Sequence, residues 1–417
     1  MSDPLDELIR IEGGQVLATL IRLTGDIDRA EDAVHDAVVI AAESWRRDGV
    51  PERPGAWLTT VAKRRALDRI RRESARDDKE RQAVHLLGEP DRDDGSGPPD
   101  AGAGDDRLRL LFTCCHPAIG RDAQIALALR TICGLTTTDI ARVFLVPDAT
   151  IGQRISRAKA KIRHAHIPYR VPDDHELPAR MTSVLTTIYA VFTAGHHAIA
   201  GHATSRVDMA DEAIRLGRLL VSLMPDEAEC TGLLALMLAT DARRKARLDD
   251  HGNLVLMALQ DRSLWDHAAI AEAAALVESA LRRGRPGPFQ IQAAITCLHG
   301  LAPVAADTDW AQITDLYGLL EERVPTAVVR VNRAVAVAEL HGAPAGLRLL
   351  AELEGTAIER WHLYWATRAD LLRRSDDAPG AAESYRRALE CPCNDTDRRF
   401  LAAQLATVSH PSVRIAT

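Results

Sequence analysis

Apolar residues recur at helical spacing along most of this chain, and β-branched runs are scarce. The clearest stretch is residues 136–163, TTTDIARVFLVPDATIGQRISRAKAKIR. Its first half sets Ile140, Ala141 and Phe144 on one stripe, opened by a Thr136–Asp139 capping box. Its second half repeats Ile151, Ile155, Ala158 and Ile162 at i, i+4, i+7 and i+11, which is a single helical face. At about 100° per residue, Gln153, Ser156, Arg157, Ala160 and Arg163 fall on the opposite side. The pattern predicts two short helices joined by a tight turn. Asp148 lies in the first turn of the second helix, where the helix dipole favours an anion.

The same period marks two segments nearer the N-terminus. Over residues 25–47 it points Val34, Val38, Ala41 and Trp45 inward, and Asp32, Asp36 and Glu43 outward with Val39 among them. A turn-rich loop follows over residues 48–54. The next helix has Trp57, Leu58, Val61, Ala62, Leu67 and Ile70 as its apolar positions. Residues 5–82 are thus expected to form one helical unit, and residues 106–170 a second that ends in the helix pair. Between them, residues 83–105 read as a flexible acidic linker, because a stretch rich in Gly, Pro and Asp buries too little apolar surface to offset its ordering entropy. Pro168, Pro172 and Pro178 mark another boundary. From 177 to 408 the chain is Ala/Leu-rich helix after helix. There Trp365, Ala369, Leu372, Ala381, Tyr385, Ala388 and Pro392 sit close to tetratricopeptide spacing, and Ala345 and Leu349 repeat the small-to-large step one unit earlier. A degenerate helical repeat and a generic helical bundle both fit.

Composition agrees with an all-α fold. The 417 residues are 46 % hydrophobic and only 4 % aromatic, with Ala and Leu dominant. Seven cysteines in irregular spacing argue for a reducing compartment. The N-terminus has no signal-peptide pattern, and no apolar run is long enough to span a membrane. A cytoplasmic protein is expected.

Charge adds the candidate chemistry. The chain as a whole carries −7, so a nucleic-acid site must be a local patch on an acidic body. Two such patches exist. From Thr150 to Arg170 there is no acidic residue, while Arg154, Arg157, Lys159, Lys161, Arg163 and Arg170 are cationic. A helix-turn-helix presents its second helix to the major groove, and basic side chains neutralise phosphates. Between Lys63 and Arg81, nine basic residues outweigh five acidic ones. A basic helix with aromatics nearby suits a single strand. Either patch alone is also compatible with an ordinary solvated helix.

Other constellations are weaker. Cys114, Cys115 and His116 lack a second pair to complete a tetrahedral metal site, and Cys391 and Cys393 read as unpaired thiols. His196, His197 and His202 have no accompanying carboxylate motif, which favours a structural or surface role. With no phosphate-binding glycine loop and no nucleophile elbow, neither an enzyme, a metal nor a cofactor is expected.

Taken in order, AEDAVHDAV, AWLTTVAKRRALDRIRRE, a linker and ISRAKAKIR resemble regions 2 and 4 of a bacterial extracytoplasmic-function (ECF) sigma factor. The segment LRLLFTCCHPAIGRDAQIALALR and the long helical tail resemble the subgroup with a C-terminal tetratricopeptide-like extension. The resemblance implies core RNA polymerase, through its β′ clamp helices and β flap, and promoter DNA, duplex and single-stranded, as partners. It assigns Asp32 and Asp36 to polymerase docking, and the loop from Arg46 to Pro54 to a flipped −10 base. It places Trp57, Lys63, Arg64, Arg65, Arg69, Arg71 and Arg72 on the −10 strand, and Gln153, Arg154, Ser156, Arg157 and Lys159 on the −35 element. A regulatory protein on the extension is a further implied partner. His35 stands where Gln is usual, Arg64 where many relatives have Asn, and Leu145 and Pro147 where Gly and Ser are common at the turn. A helix-turn-helix regulator acting without polymerase would explain residues 136–163 but not the N-terminal unit. A tetratricopeptide-like adaptor would leave both basic helices unexplained.

Overall fold

The computed structural model describes residues 4–82, 103–144, 146–173, 175–197, 204–284 and 286–409. Most of the expected linker, together with His202 and Leu145, therefore lies outside the described residues. Among those described there are eighteen α-helices and one isolated β-bridge, Leu248 with Leu254. The chain divides into two compact units, residues 1–194 and 195–417.

The first unit holds α1 (Pro4–Thr24), α2 (Ile27–Asp48), α3 (Pro54–Gln82), α4 (Ala103–Cys114), α5 (Arg121–Thr131), α6 (Thr137–Phe144), α7 (Asp148–His164) and most of α8 (Leu177–His197). α1, α2 and α3 pack on one another, and α5 and α6 pack on α7. Leu20, Leu58, Leu110, Phe112, Leu127, Leu129, Ile140 and Ile151 are fully buried. Asp26 opens α2 by accepting from the Arg29 amide, as an N-cap carboxylate does. Gly49 ends α2 with φ +84°, the left-handed region where glycine has no side-chain penalty, and its amide donates to the Trp45 carbonyl.

The inner face of α2 is shifted from the expected one. Ala30, Ala33, Ala37, Ala41 and Trp45 are buried, while Val34 and Val38 are only half-buried. The two stripes lie side by side on the wheel and share Ala41 and Trp45. Small alanines let the neighbouring helices come close, so packing selects their stripe over the valines. Leu67 on α3 is likewise exposed, and Ala66 takes the inward place.

α8 is fastened to the same unit. Arg180 donates to the Phe112 carbonyl at 2.6 Å, and Ser183 and Thr187 donate to Gln124 Oε1. Gln124 is itself buried and donates to the His116 and Ile119 carbonyls. These bonds satisfy polar groups that burial would otherwise leave unpaired.

The second unit runs through α9 (Thr204–Leu223), α10 (Ala228–Asp241), α11 (His267–Leu281), α12 (Pro288–Leu301), α13 (Trp310–Arg323), α14 (Ala327–His341), α15 (Ala343–Ala351), α16 (His362–Arg374), α17 (Ala378–Glu390) and α18 (Asp395–Ser409). From α9 to α18 each helix packs on the next in sequence. Small residues set the spacing. A Cβ on Gly346 would lie 2.5 Å from the Ala334 carbonyl oxygen, so α15 approaches α14 at backbone distance. Trp365, Ala369, Ala381, Tyr385 and Ala388 share one core between α16 and α17 with Tyr364 and Leu371. Leu372 is only partly buried, and Leu371 fills the centre instead.

Candidate nucleic-acid interface

The helix-turn-helix forms as the spacing predicts. The Thr136 amide donates to Asp139 Oδ2, and the Asp139 amide donates to Thr136 Oγ1, which is a reciprocal capping box. Ile140 and Ala141 are buried. Asp148, in the first turn of α7, accepts from the Thr138 hydroxyl at 2.6 Å and ties the two helices across the turn. Ile151, Ile155, Ala158 and Ile162 are the buried face of α7, joined by Lys159.

The candidate −35 residues separate into two groups. Gln153, Ser156 and Arg157 are exposed together, with an Arg157 N–H donating to Gln153 Oε1 at 3.4 Å. Arg154 is turned inward: its guanidinium sits 5.4 Å over the Phe144 ring and 3.5 Å from an Asp122 oxygen. Lys159 is the larger departure. It is 9 % exposed, and its ammonium lies 2.9 Å from Asp28 and 2.8 Å from Glu31, both on α2. Arg163 pairs with Asp28 as well. Lys159 is four residues after Ile155 and three before Ile162, so it stands at the edge of the apolar face, next to whatever covers that face.

Burial opposes the Lys159 charge, but hydrogen bonds and Coulomb attraction from Glu31 and Asp28 outweigh it and raise its pKa. For Asp28 the balance is the mirror image. Desolvation would raise its pKa, and Lys159 and Arg163 together lower it.

The candidate −10 residues are arranged differently. Lys63, Arg64, Arg65, Arg69, Arg71 and Arg72 are all exposed on α3. Arg69 pairs with Asp32 at 2.8 Å, and Arg72 donates to the Asp68 carbonyl of its own helix. Trp57 is half-buried at the start of α3, edge-on to Trp45 with ring centroids 5.3 Å apart. Asp32 and Asp36 project from α2 as expected, both exposed. The face thus offers a cationic row, a partly open aromatic and an acidic row, which suits phosphate contacts, base stacking and a basic protein partner in turn.

Of the remaining constellations, Cys114, Cys115 and His196 are built into the packing. Cys114 and Cys115 are buried, and burial pushes the Cys115 thiol up to about 12. Thiols so held are poor nucleophiles. His196 is buried 3.7 Å from Asp241. Among the described residues, no group of three or more His, Cys, Asp or Glu side chains converges as a metal site.

Sequence reasoning missed Asp28 and Glu31. Both lie in the first turns of an amphipathic helix, where acids are common because of the dipole. Nothing in the local pattern separates such acids from ones that hold a lysine 128 or 131 residues away.

Comparisons with known proteins match this arrangement in chain order. The family model described as Sigma-70 region 2 matches residues 8–76, and that described as Sigma-70, region 4 matches residues 109–162. A family of unknown function, DUF6596, matches residues 180–281. An uncharacterized protein of Rhizobium meliloti is 40 % identical over 94 % of this chain and 92 % of its own length. A probable ECF RNA polymerase sigma factor, SigI, of Mycobacterium tuberculosis is 28 % identical over 43 % of this chain and 61 % of its own length.

Proposed function

We propose that the chain is a sigma factor of the ECF type, in a form that carries a C-terminal extension, and that its two basic helix faces divide promoter recognition between them. A sigma factor directs RNA polymerase to promoters, so core polymerase and promoter DNA are its partners. Sigma families regulate initiation and are not themselves enzymes.

In this reading α7 enters the −35 major groove with Gln153, Ser156 and Arg157 foremost. Arg154 and Lys159 join them only by exchanging their present partners for phosphates. Lys63, Arg64, Arg65, Arg69, Arg71 and Arg72 grip the −10 strand, with Trp57 at the point where the duplex opens. The loop from Arg46 to Pro54 holds the extruded base, whose unstacking costs a few kcal/mol that pocket contacts must offset. Asp32 and Asp36 dock on the β′ clamp helices, and the region-4 unit meets the β flap. The second unit receives a regulatory protein. In this reading all of this takes place in the cytoplasm, where core polymerase and promoter DNA are found. Separately, among the described residues no helix is long and apolar enough to cross a membrane.

The observation that carries the reading is the coexistence, on one chain and in order, of the region 2 and region 4 matches with an exposed cationic face on each. A regulator working without polymerase has no use for the first. The test is co-purification with core polymerase followed by run-off transcription from promoters selected out of a random library. Duplex DNA binding with neither co-purification nor transcription would move the assignment to a polymerase-independent regulator. For the extension, the full chain is compared with a chain ending at residue 194, its fold checked by circular dichroism. Equal transcription at every promoter and condition would remove the regulatory role.

A further inference from the structure

The α2–α7 contact consumes two of the cations that a DNA-reading helix would turn toward phosphate. Lys159 is bound on two sides by carboxylates, and its side chain is 11 % exposed. Asp28 also holds Arg163, one turn further along α7. The contact rests on a wider backing. A Cβ on Gly14 of α1 would lie 2.4 Å from the Ile132 carbonyl oxygen, so α1 meets the end of α5 at backbone distance. The Tyr169 hydroxyl bonds the Ala18 and Asp106 carbonyls, and the buried Asp106 carboxylate takes Arg22 from α1 and Arg109 from α4. Region 2 therefore lies against region 4 with paired charges at the rim and tightly packed backbone behind.

We propose that α2 acts as an internal counter-ion clamp on the −35-reading helix: Asp28 and Glu31 hold Lys159 and Arg163 in the free chain, and full duplex capture requires this clamp to open. The proposal rests on the reading of α7 as the −35 helix and adds a regulation to it. A carboxylate and a phosphate compete for the same N–H donors. Lys159 Nζ already meets two carboxylate oxygens at hydrogen-bond distance, and burial leaves no path for a phosphate while α2 is in place. The free chain then presents Gln153, Ser156 and Arg157 to DNA with weakened electrostatic support.

The clamp is tested on the full-length chain with Asp28→Asn combined with Glu31→Gln. Neither residue belongs to the proposed docking or DNA-contact sets. Two readouts are taken. The first is the acylation rate of Lys159 relative to exposed Lys161, by mass spectrometry. In the wild type Lys159 should react at least about tenfold more slowly, and in the double variant at a rate near that of Lys161. The second is binding to a 30-base-pair duplex of mixed sequence as salt is varied. Arg163 is half exposed and can already turn to phosphate, so the release of buried Lys159 should steepen the slope of log K against log salt by about 1, at roughly 0.9 per phosphate neutralised. Equal acylation of the two lysines in the wild type overturns the clamp. So does an unchanged slope in the variant. Tighter binding with Lys159 still protected also contradicts it, because two lost negative charges alone would produce that pattern. Wild-type run-off transcription, measured in parallel, reports on the sigma-factor reading alone, so the two failures are distinguishable.

Discussion

α3 and α7 are both basic helices, yet their cations stand in different surroundings. On α3 all six candidate cations are exposed, and the ion pair that reaches them from α2, Arg69 with Asp32, is itself half in solvent. On α7 the exposed reading group is Gln153, Ser156 and Arg157, while Lys159 is buried in its ion pairs and Arg154 is half-buried against Phe144 and beside Asp122. Exposed ion pairs are worth little, and DNA displaces them readily. Buried ones hold more tightly, because releasing one partner strands the other. A run of Lys and Arg therefore marks a possible binding face, but burial decides how much of it is free.

The largest expected effect is at the acidic row beside α3. Asp32→Lys with Asp36→Lys should weaken core polymerase binding by at least about 100-fold, the scale of like charges forced together across an interface. Helicity should not change, since both side chains are exposed. A double variant that co-purifies at the wild-type level would put the docking surface elsewhere.

Second comes a contrast in acid sensitivity. In the second unit, burial and the nearby Arg243 and Arg262 push the pKa of His299 down to about 4. A depressed folded pKa means that the unfolded chain binds the extra proton first. The stability is thus complete above the unfolded value near 6.5 and drains away as pH falls toward 4, on the order of 3 kcal/mol. His299→Gln should flatten that loss in calorimetry of the full chain. The α2–α7 clamp behaves otherwise. The lowered Asp28 pKa contributes stability above the ordinary carboxylate range that is lost only below about pH 4, and the raised Lys159 pKa contributes stability lost only above about pH 10.5. Lys159 protection from acylation should therefore persist, relative to Lys161, from about pH 6 to 9. Loss of that protection within this window would show that the ion pairs do not hold the lysine.

Third, Arg157→Ala should weaken holoenzyme binding to a selected promoter by roughly tenfold, about 1–3 kcal/mol if it contacts a base and less if it meets only phosphate. The smallest effect is expected at Arg154→Ala, under about threefold, because Asp122 and the Phe144 ring already occupy that guanidinium. Gel-shift titrations of the two variants side by side check this order. A larger loss at Arg154 would mean that α7 is aimed differently once bound.

The helices themselves were legible because the periodic apolar positions and caps sit within a few residues of one another. Ile151, Ile155, Ala158 and Ile162 lie on one buried face, and Thr136 caps with Asp139 as spaced. The inner face of α2 was less so, since Val34–Val38 and Ala33–Ala37 are neighbouring stripes and only packing chooses between them. The alanine stripe won because closeness of the helices outweighs side-chain size there. The core shared by α16 and α17 followed from its small and large positions, apart from the exchange of Leu372 for Leu371, though a degenerate repeat and a generic bundle both fit it. Least legible was the electrostatic state of the site. Lys159 reads as one cation among six, and its capture depends on Asp28 and Glu31, more than 120 residues earlier. No local pattern carries a long-range ion pair.

The most direct test of sigma function is run-off transcription by core polymerase reconstituted with this chain, on promoters selected from a random library. The sigma-factor reading expects transcripts with defined start sites that require two upstream elements, lost when either Arg157 or the exposed cations of α3 are neutralised. A chain that binds duplex DNA yet neither binds core polymerase nor yields a defined transcript would contradict it.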